Sequence, residues 1–193
     1  MIIVSPEVLH FRAFLQNNDD IWPEKGISMI IAIGGPSNAG KSSLAKLILR
    51  EYGDKKVVIL CQDDFVYPEN KLSRIREHID WENPDTINFS LLQSCLLEES
   101  TDNDLVIVEG FMIFNNLKIN SIYDKMIFIE IQEETFRRRK IKDLRWGREP
   151  DWYISHIWRQ YQIYGQPPNE VPVLFLQGEY DWPIKNILEF LNK

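Results

Sequence analysis

Gly35-Pro36-Ser37-Asn38-Ala39-Gly40-Lys41-Ser42 fits the pattern G-x-x-x-x-G-K-[ST] in full. Each residue type answers a requirement of phosphate chemistry. Glycines let the backbone curl until its N–H groups point at phosphate oxygens, and a following helix N-terminus adds partial positive charge. A lysine at the place of Lys41 bridges the β- and γ-phosphates, and the hydroxyl at Ser42 ligates magnesium. A chance glycine turn can give the same string. Here, however, it follows the apolar run Met29 to Ile33 and opens a stretch with helical spacing, the context such a cradle needs. The pattern predicts that residues Gly35 to Ser43 bind ATP with Mg2+, and that Lys41 faces solvent until the nucleotide arrives.

Acids stand after two other apolar runs. Val57 to Leu60 leads into Gln62-Asp63-Asp64-Phe65, where a carboxylate would lie beside the phosphate loop. It could take the proton of a substrate hydroxyl, an effect worth about 10²–10⁴ in rate, or hold magnesium. An aspartate there can equally cap the next turn. With two in a row both uses have a residue, Asp63 for chemistry and Asp64 for structure. Leu105 to Val108 ends in Glu109-Gly110. Glu109 occupies the place of a carboxylate that orients magnesium through its water shell, or is a strand-end acid satisfied by backbone donors.

Arg137-Arg138-Arg139-Lys140, followed by Lys142, Arg145 and Arg148, stands out in a chain of formal net charge -7. A solvated helix face explains part of it, because Glu133 and Glu134 precede Arg137 and Arg138 by one favourable helical step. Arg139 has Thr135 at that place instead. A mobile arginine-rich segment over ATP would add positive charge at the transition state and exclude water. Nucleic-acid binding is disfavoured by the shortness of the cluster and the negative overall charge. Trp81 and Glu82 sit in the polar stretch Asp80-Trp81-Glu82-Asn83-Pro84. There the ring could stack on a base while Glu82 accepts ribose hydroxyls, or the tryptophan could simply anchor the loop. His10, His78 and His156 are scattered singly and receive no role.

The elements that must position these residues follow from the apolar runs. Runs at 29–33, 57–60, 105–108, 126–131 and 173–176 alternate with helical spacing at 42–52, 84–99, 132–142, 151–164 and 183–191. The alternation predicts an α/β fold, a parallel sheet covered on both faces with ligands at the carboxyl ends of its strands. The phosphate loop, Asp63 and Glu109 each fall just after one of the runs, and the basic segment lies beyond the fourth. Residues 1–27 read as an irregular N-terminal extension with a short amphipathic helix at 6–15 and a loop at 17–26. Residues 28–193 read as one domain with a lid at about 140–150, and 193 residues suffice to bury a real core. Cys61 and Cys95 suit neither a disulfide framework nor a zinc site. No apolar run approaches the ~20 residues of a membrane span. A cytoplasmic protein is expected, without membrane or nucleic-acid partner and working on small molecules.

GPSNAGKSSLAK (35–46), CQDDF (61–65), VEGFMIFN (108–115), the arginine run, PDWYISHIW (150–158) and VLFLQGEYDW (173–182) together resemble the nicotinamide riboside kinases, within the wider uridine kinase group. The resemblance runs from about Met29 to the C-terminus. It implies a five-stranded parallel sheet of the P-loop kinase fold, with ATP, Mg2+ and phosphoryl transfer to a ribose 5′-hydroxyl. By position it implies Asp63 as proton acceptor and, with Ser42, as magnesium contact. It implies Asp63, Asp64, Phe65, Val66, Trp81, Glu82 and Arg139 at the riboside. Arg138, Lys140, Tyr180, Asp181 and Trp182 then fall on the ATP side. The family usually has aspartate where this chain has Glu82, and a lid tyrosine where Leu144, Arg145 and Trp146 stand here. The 27-residue N-terminal stretch has no family counterpart.

Overall fold

The computed structural model describes residues 28–145, 147–169 and 172–192. The expectations for residues 1–27 and for Trp146 lie outside the described residues. In chain order the strands are β1 (Met29–Gly34), β2 (Val57–Cys61), the short pair β3 (Arg74–Ile75) and β4 (His78–Ile79), then β5 (Leu105–Glu109), β6 (Lys125–Glu130) and β7 (Val173–Gln177). The helices are α1 (Lys41–Glu51), α2 (Phe89–Asp102), α3 (Leu117–Asn120), α4 (Glu133–Lys142), α5 (Asp151–Tyr164) and α6 (Ile184–Leu191).

All five apolar runs become strands of one sheet, in the order β2-β5-β1-β6-β7. Every pairing in it is parallel. Strands this apolar need cover on both faces, and the helices wrap around them. α1 packs on β1, β2 and β5, and α2 on β1 and β5. Ile31, Ile33 and Ile107 on the strands, and Leu44, Ile48, Leu92 and Leu96 on the helices, are fully buried. Register decides what meets at the functional edge. Ile33 and Cys61 both lie level with Glu109. The turns leaving β1, β2 and β5 therefore start side by side.

Two departures from the expected elements bear on the site. α2 starts at Phe89 rather than near residue 84, because Pro84–Thr86 forms a separate tight turn. Asn88 then caps the helix, its Oδ1 accepting from the Leu91 N–H at 3.1 Å. The β3–β4 hairpin carries no apolar run to reveal it, and turns through Arg76 at φ 53. No helix among the described residues is long and apolar enough to cross a membrane.

Candidate active site

Gly35 (φ 140) and Gly40 (φ 106) hold conformations that side chains resist. A Cβ at Gly35 would run into the Ile129 carbonyl, and one at Gly40 would stand 2.8 Å from the Trp182 ring. Asn38 takes φ 61, a left-handed state that asparagine tolerates better than most residues. Lys41 differs from expectation. It is half-buried, and its Nζ donates to the Pro36 carbonyl at 3.0 Å. Burial pulls its pKa below the ordinary lysine value, while Glu109 and then Asp63 oppose that pull. The Ser42 Oγ donates to Glu109 Oε1 at 2.7 Å, so the expected magnesium hydroxyl and the strand-end acid are directly joined. Ser43 is exposed on the first turn of α1.

The turn after β2 is held from below. Gln62 is buried, and its Oε1 accepts from the Met112 N–H at 2.9 Å, tying the turn to the loop after β5. Asp63 and Asp64 consequently point outward and are exposed. The surrounding protein displaces enough water to raise the Asp63 pKa; Lys41 opposes this, and Glu109 and Asp64 add to it. Burial, helped by Glu109 and Asp63, pushes the Cys61 thiol up to about 12, so it stays protonated and unreactive. Phe65 faces the core, and Val66 bridges Ile87. Tyr67 N–H donates to the Thr86 carbonyl at 2.9 Å.

These ties bring the segment after β4 to the same mouth. Trp81 there is 40% exposed. Half-buried Glu82 is pushed up to about 8 by loss of water, with Lys140 opposing and Asp63 and Asp80 adding. Lys140, expected on the ATP side, is thus the foremost positive charge felt by Glu82.

The rest of the arginine run divides. Arg137 Nε pairs with Glu133 Oε1 at 2.8 Å, the helix-face reading. Arg138 donates to Thr135 Oγ1 at 3.4 Å. Arg139 spends its guanidinium on two backbone carbonyls, Asn38 at 3.0 Å and Gly178 at 2.8 Å. It joins the phosphate loop to the loop after β7, the side where Tyr180, Asp181 and Trp182 lie. Ala39, Gly40, Leu47, Arg139 and the stretch 178–182 line an open pocket of about 500 Å³. The Trp182 indole Nε1 is buried with no hydrogen-bond partner among the described residues. Arg145 pairs with Asp143 at 2.6 Å and reaches Asn38 Oδ1 at 3.4 Å. That hydrogen bond holds the Asp143 carboxyl well below its usual range.

The expected residues fall into two adjoining groups. The phosphate loop, Arg139 and residues 180–182 line the pocket, while Lys41, Asp63, Glu82, Glu109 and Lys140 share one electrostatic field. Sequence reasoning missed Gln62, Tyr153 and His156. Gln62 carried a signal, being a polar residue at the end of an apolar run. The other two act on residues far away in sequence, and no local pattern marks them. Among the described residues no group of three or more acids, histidines and cysteines is placed to hold a metal ion. Magnesium does not require one, since it takes one or two carboxylates and fills its shell with phosphate oxygens and water. The hard oxygens of Ser42, Asp63 and Glu109 fit that habit.

No protein-family model matches the chain. Human nicotinamide riboside kinase 1 is 28% identical over 170 residues, covering 78% of this chain and 84% of that protein. A uridine kinase of Mycoplasma genitalium is 33% identical over 164 residues, covering 71% of this chain and 76% of its own length. The chain belongs to the uridine kinase-like P-loop kinases. Solved structures agree on the fold. A sugar kinase from Janibacter superposes with a TM-score of 0.62 at 16% identity, covering 86% of this chain and 95% of that one. A possible uridine kinase from Bacillus stearothermophilus gives 0.52 at 16% identity, covering 88% and 100%. As a uridine kinase-like protein the chain is an ATP-dependent kinase that takes a small-molecule acceptor.

Proposed function

We propose that this kinase phosphorylates the 5′-hydroxyl of nicotinamide riboside, giving nicotinamide mononucleotide for NAD biosynthesis. The observation that carries the reading is the pairing of Trp81 and Glu82 at one mouth with Asp63 and Lys41. Beside the cationic pyridinium ring Glu82 would give up its proton and accept the two ribose hydroxyls, which leaves the 5′ end directed at Asp63. The exposed Trp81 ring suits a flat base, and the pyridinium of nicotinamide riboside adds a cation–π term that a neutral pyrimidine lacks. The pyrimidine reading, a uridine or cytidine kinase, is favoured by the identity to the Mycoplasma protein.

In the proposed reaction the 5′-oxygen attacks the γ-phosphorus of ATP as the bond from that phosphorus to the β,γ-bridging oxygen breaks. ADP leaves, and the hydroxyl proton passes to an Asp63 oxygen. Lys41 stabilises the charge shifting onto the phosphate oxygens, and the backbone N–H groups of 35–42 hold them in line. Ser42 and Asp63, with Glu109 behind Ser42, would hold Mg2+, which offsets negative charge on the β- and γ-phosphates. Arg139 keeps the phosphate loop and the 178–182 wall at a fixed separation around the nucleotide. The test is direct. Incubation with nicotinamide riboside and Mg·ATP should give one ADP per mononucleotide, with the new phosphorus coupled to the C5′ protons by NMR. Absence of transfer, or transfer to a ring hydroxyl, would contradict the assignment.

A further inference from the structure

Trp81 and Glu82 lie between β4 and the turn at Pro84–Thr86, on chain with no regular structure of its own. Something must hold that chain if Glu82 is to meet two hydroxyls at once, because a hydrogen-bonding carboxylate displaced by an ångström loses its geometry. The hold comes from α5. Tyr153 is 2% exposed, and its hydroxyl donates to the Ile79 carbonyl at 3.1 Å while accepting from the Trp81 N–H at 3.3 Å. Further along the same helix, buried His156 places Nε2 2.7 Å from Asp80 Oδ1. The Gln160 amide stands 3.5 Å from Nδ1, an arrangement in which Nε2–H donates to Asp80. The His78 ring stacks on Tyr153, with centroids 5.1 Å apart and planes 17° from parallel. Each of residues 78 to 81 is therefore gripped by α5, and Glu82 is the next residue along.

We infer that Tyr153 and His156 are positioning residues for the acceptor substrate, fixing Glu82 and Trp81 through the segment 78–81. This rests on the reading that Glu82 faces the riboside. Neither side chain needs to touch the substrate. Asp80 kept without its histidine would be an almost buried acid short of a donor, and the segment would move to find water.

The test compares KM values for nicotinamide riboside and ATP in Tyr153→Phe, His156→Leu, His156→Gln, Glu82→Gln and the double variant Glu82→Gln/His156→Leu. Tyr153→Phe and His156→Leu should each raise the riboside KM roughly tenfold while leaving the ATP KM unchanged. His156→Gln, whose amide N–H falls near the place of Nε2–H, should restore most of the loss. In the double variant the histidine change should add little to the glutamate change, because both act on one contact. Proportional rises in both KM values with a falling Tm, or full additivity in the double variant, would overturn the inference. Glu82→Gln separates it from the reading beneath it. If that variant leaves the riboside KM unmoved, the pocket reading fails and the positioning role with it. If Glu82→Gln raises it and the α5 variants do not, the positioning role alone fails. Tyr153→Phe keeps the buried ring, so it carries the test should His156→Leu not fold.

Discussion

Lys41 meets two demands at once, a half-buried ammonium tied to its own loop and a charge kept by Glu109 and Asp63. On the proposed mechanism, removing it takes away a side-chain cation that acts on the transferring phosphoryl group. Lys41→Ala should lower turnover by at least about 10²-fold, with circular dichroism unchanged; near-normal turnover would contradict the phosphate-loop assignment. Asp63→Asn keeps the shape but cannot take a proton, so turnover should fall by about 10²–10⁴. Asp64→Asn, beside it and also exposed, should cost much less, and equal mild losses would remove the role given to Asp63. Glu82 makes a prediction in pH. Its folded pKa of about 8 lies above the ordinary 4.5, so the folded protein binds more protons than the unfolded chain between those values. Unfolding free energy should therefore fall as pH rises through that window. Glu82→Gln should flatten the fall in a series of denaturant melts taken across it.

At the scale of elements, the phosphate loop works because its neighbours are close. Gly40 combines a left-handed φ with the Trp182 ring 2.8 Å from any added Cβ. Gly40→Ala should raise the ATP KM by an order of magnitude or more, roughly the cost of backbone strain at such a site, while the riboside KM moves little. An unchanged ATP KM would mean that the loop and the 178–182 wall are more independent than their contacts indicate. Much of this level was legible beforehand. Runs such as Met29 to Ile33 and Leu105 to Val108 argued for buried parallel strands, and Gly35, Asp63 and Glu109 do follow strands that end side by side. The start of α2 was misplaced because Pro84 and Asp85 look like a helical first turn, yet Asn88 supplies the cap. β3 and β4 were invisible, since a pair of two-residue strands has no period. Tyr153 and His156 stayed hidden for a different reason. Their partners lie 72 to 76 residues away, a distance no periodicity spans. Arg139 was legible as unusual but not in its contacts, because backbone carbonyls carry no sequence signature.

For the whole molecule, the two groups of candidate residues adjoin at the carboxyl ends of the sheet's strands, so nucleotide binding should report on global stability. A ligand that binds only the folded state at about 100 times its Kd adds roughly 2.7 kcal/mol. Saturating Mg·ATP should accordingly raise the Tm of the wild-type chain by several degrees, and Lys41→Ala should abolish most of that rise. A full rise in Lys41→Ala would place the nucleotide elsewhere. One measurement decides among the acceptors: kcat/KM for nicotinamide riboside, uridine and cytidine, side by side at fixed saturating Mg·ATP. Nicotinamide riboside should give the highest value; a higher value for either pyrimidine nucleoside, or no transfer to any of the three, would contradict the proposed function.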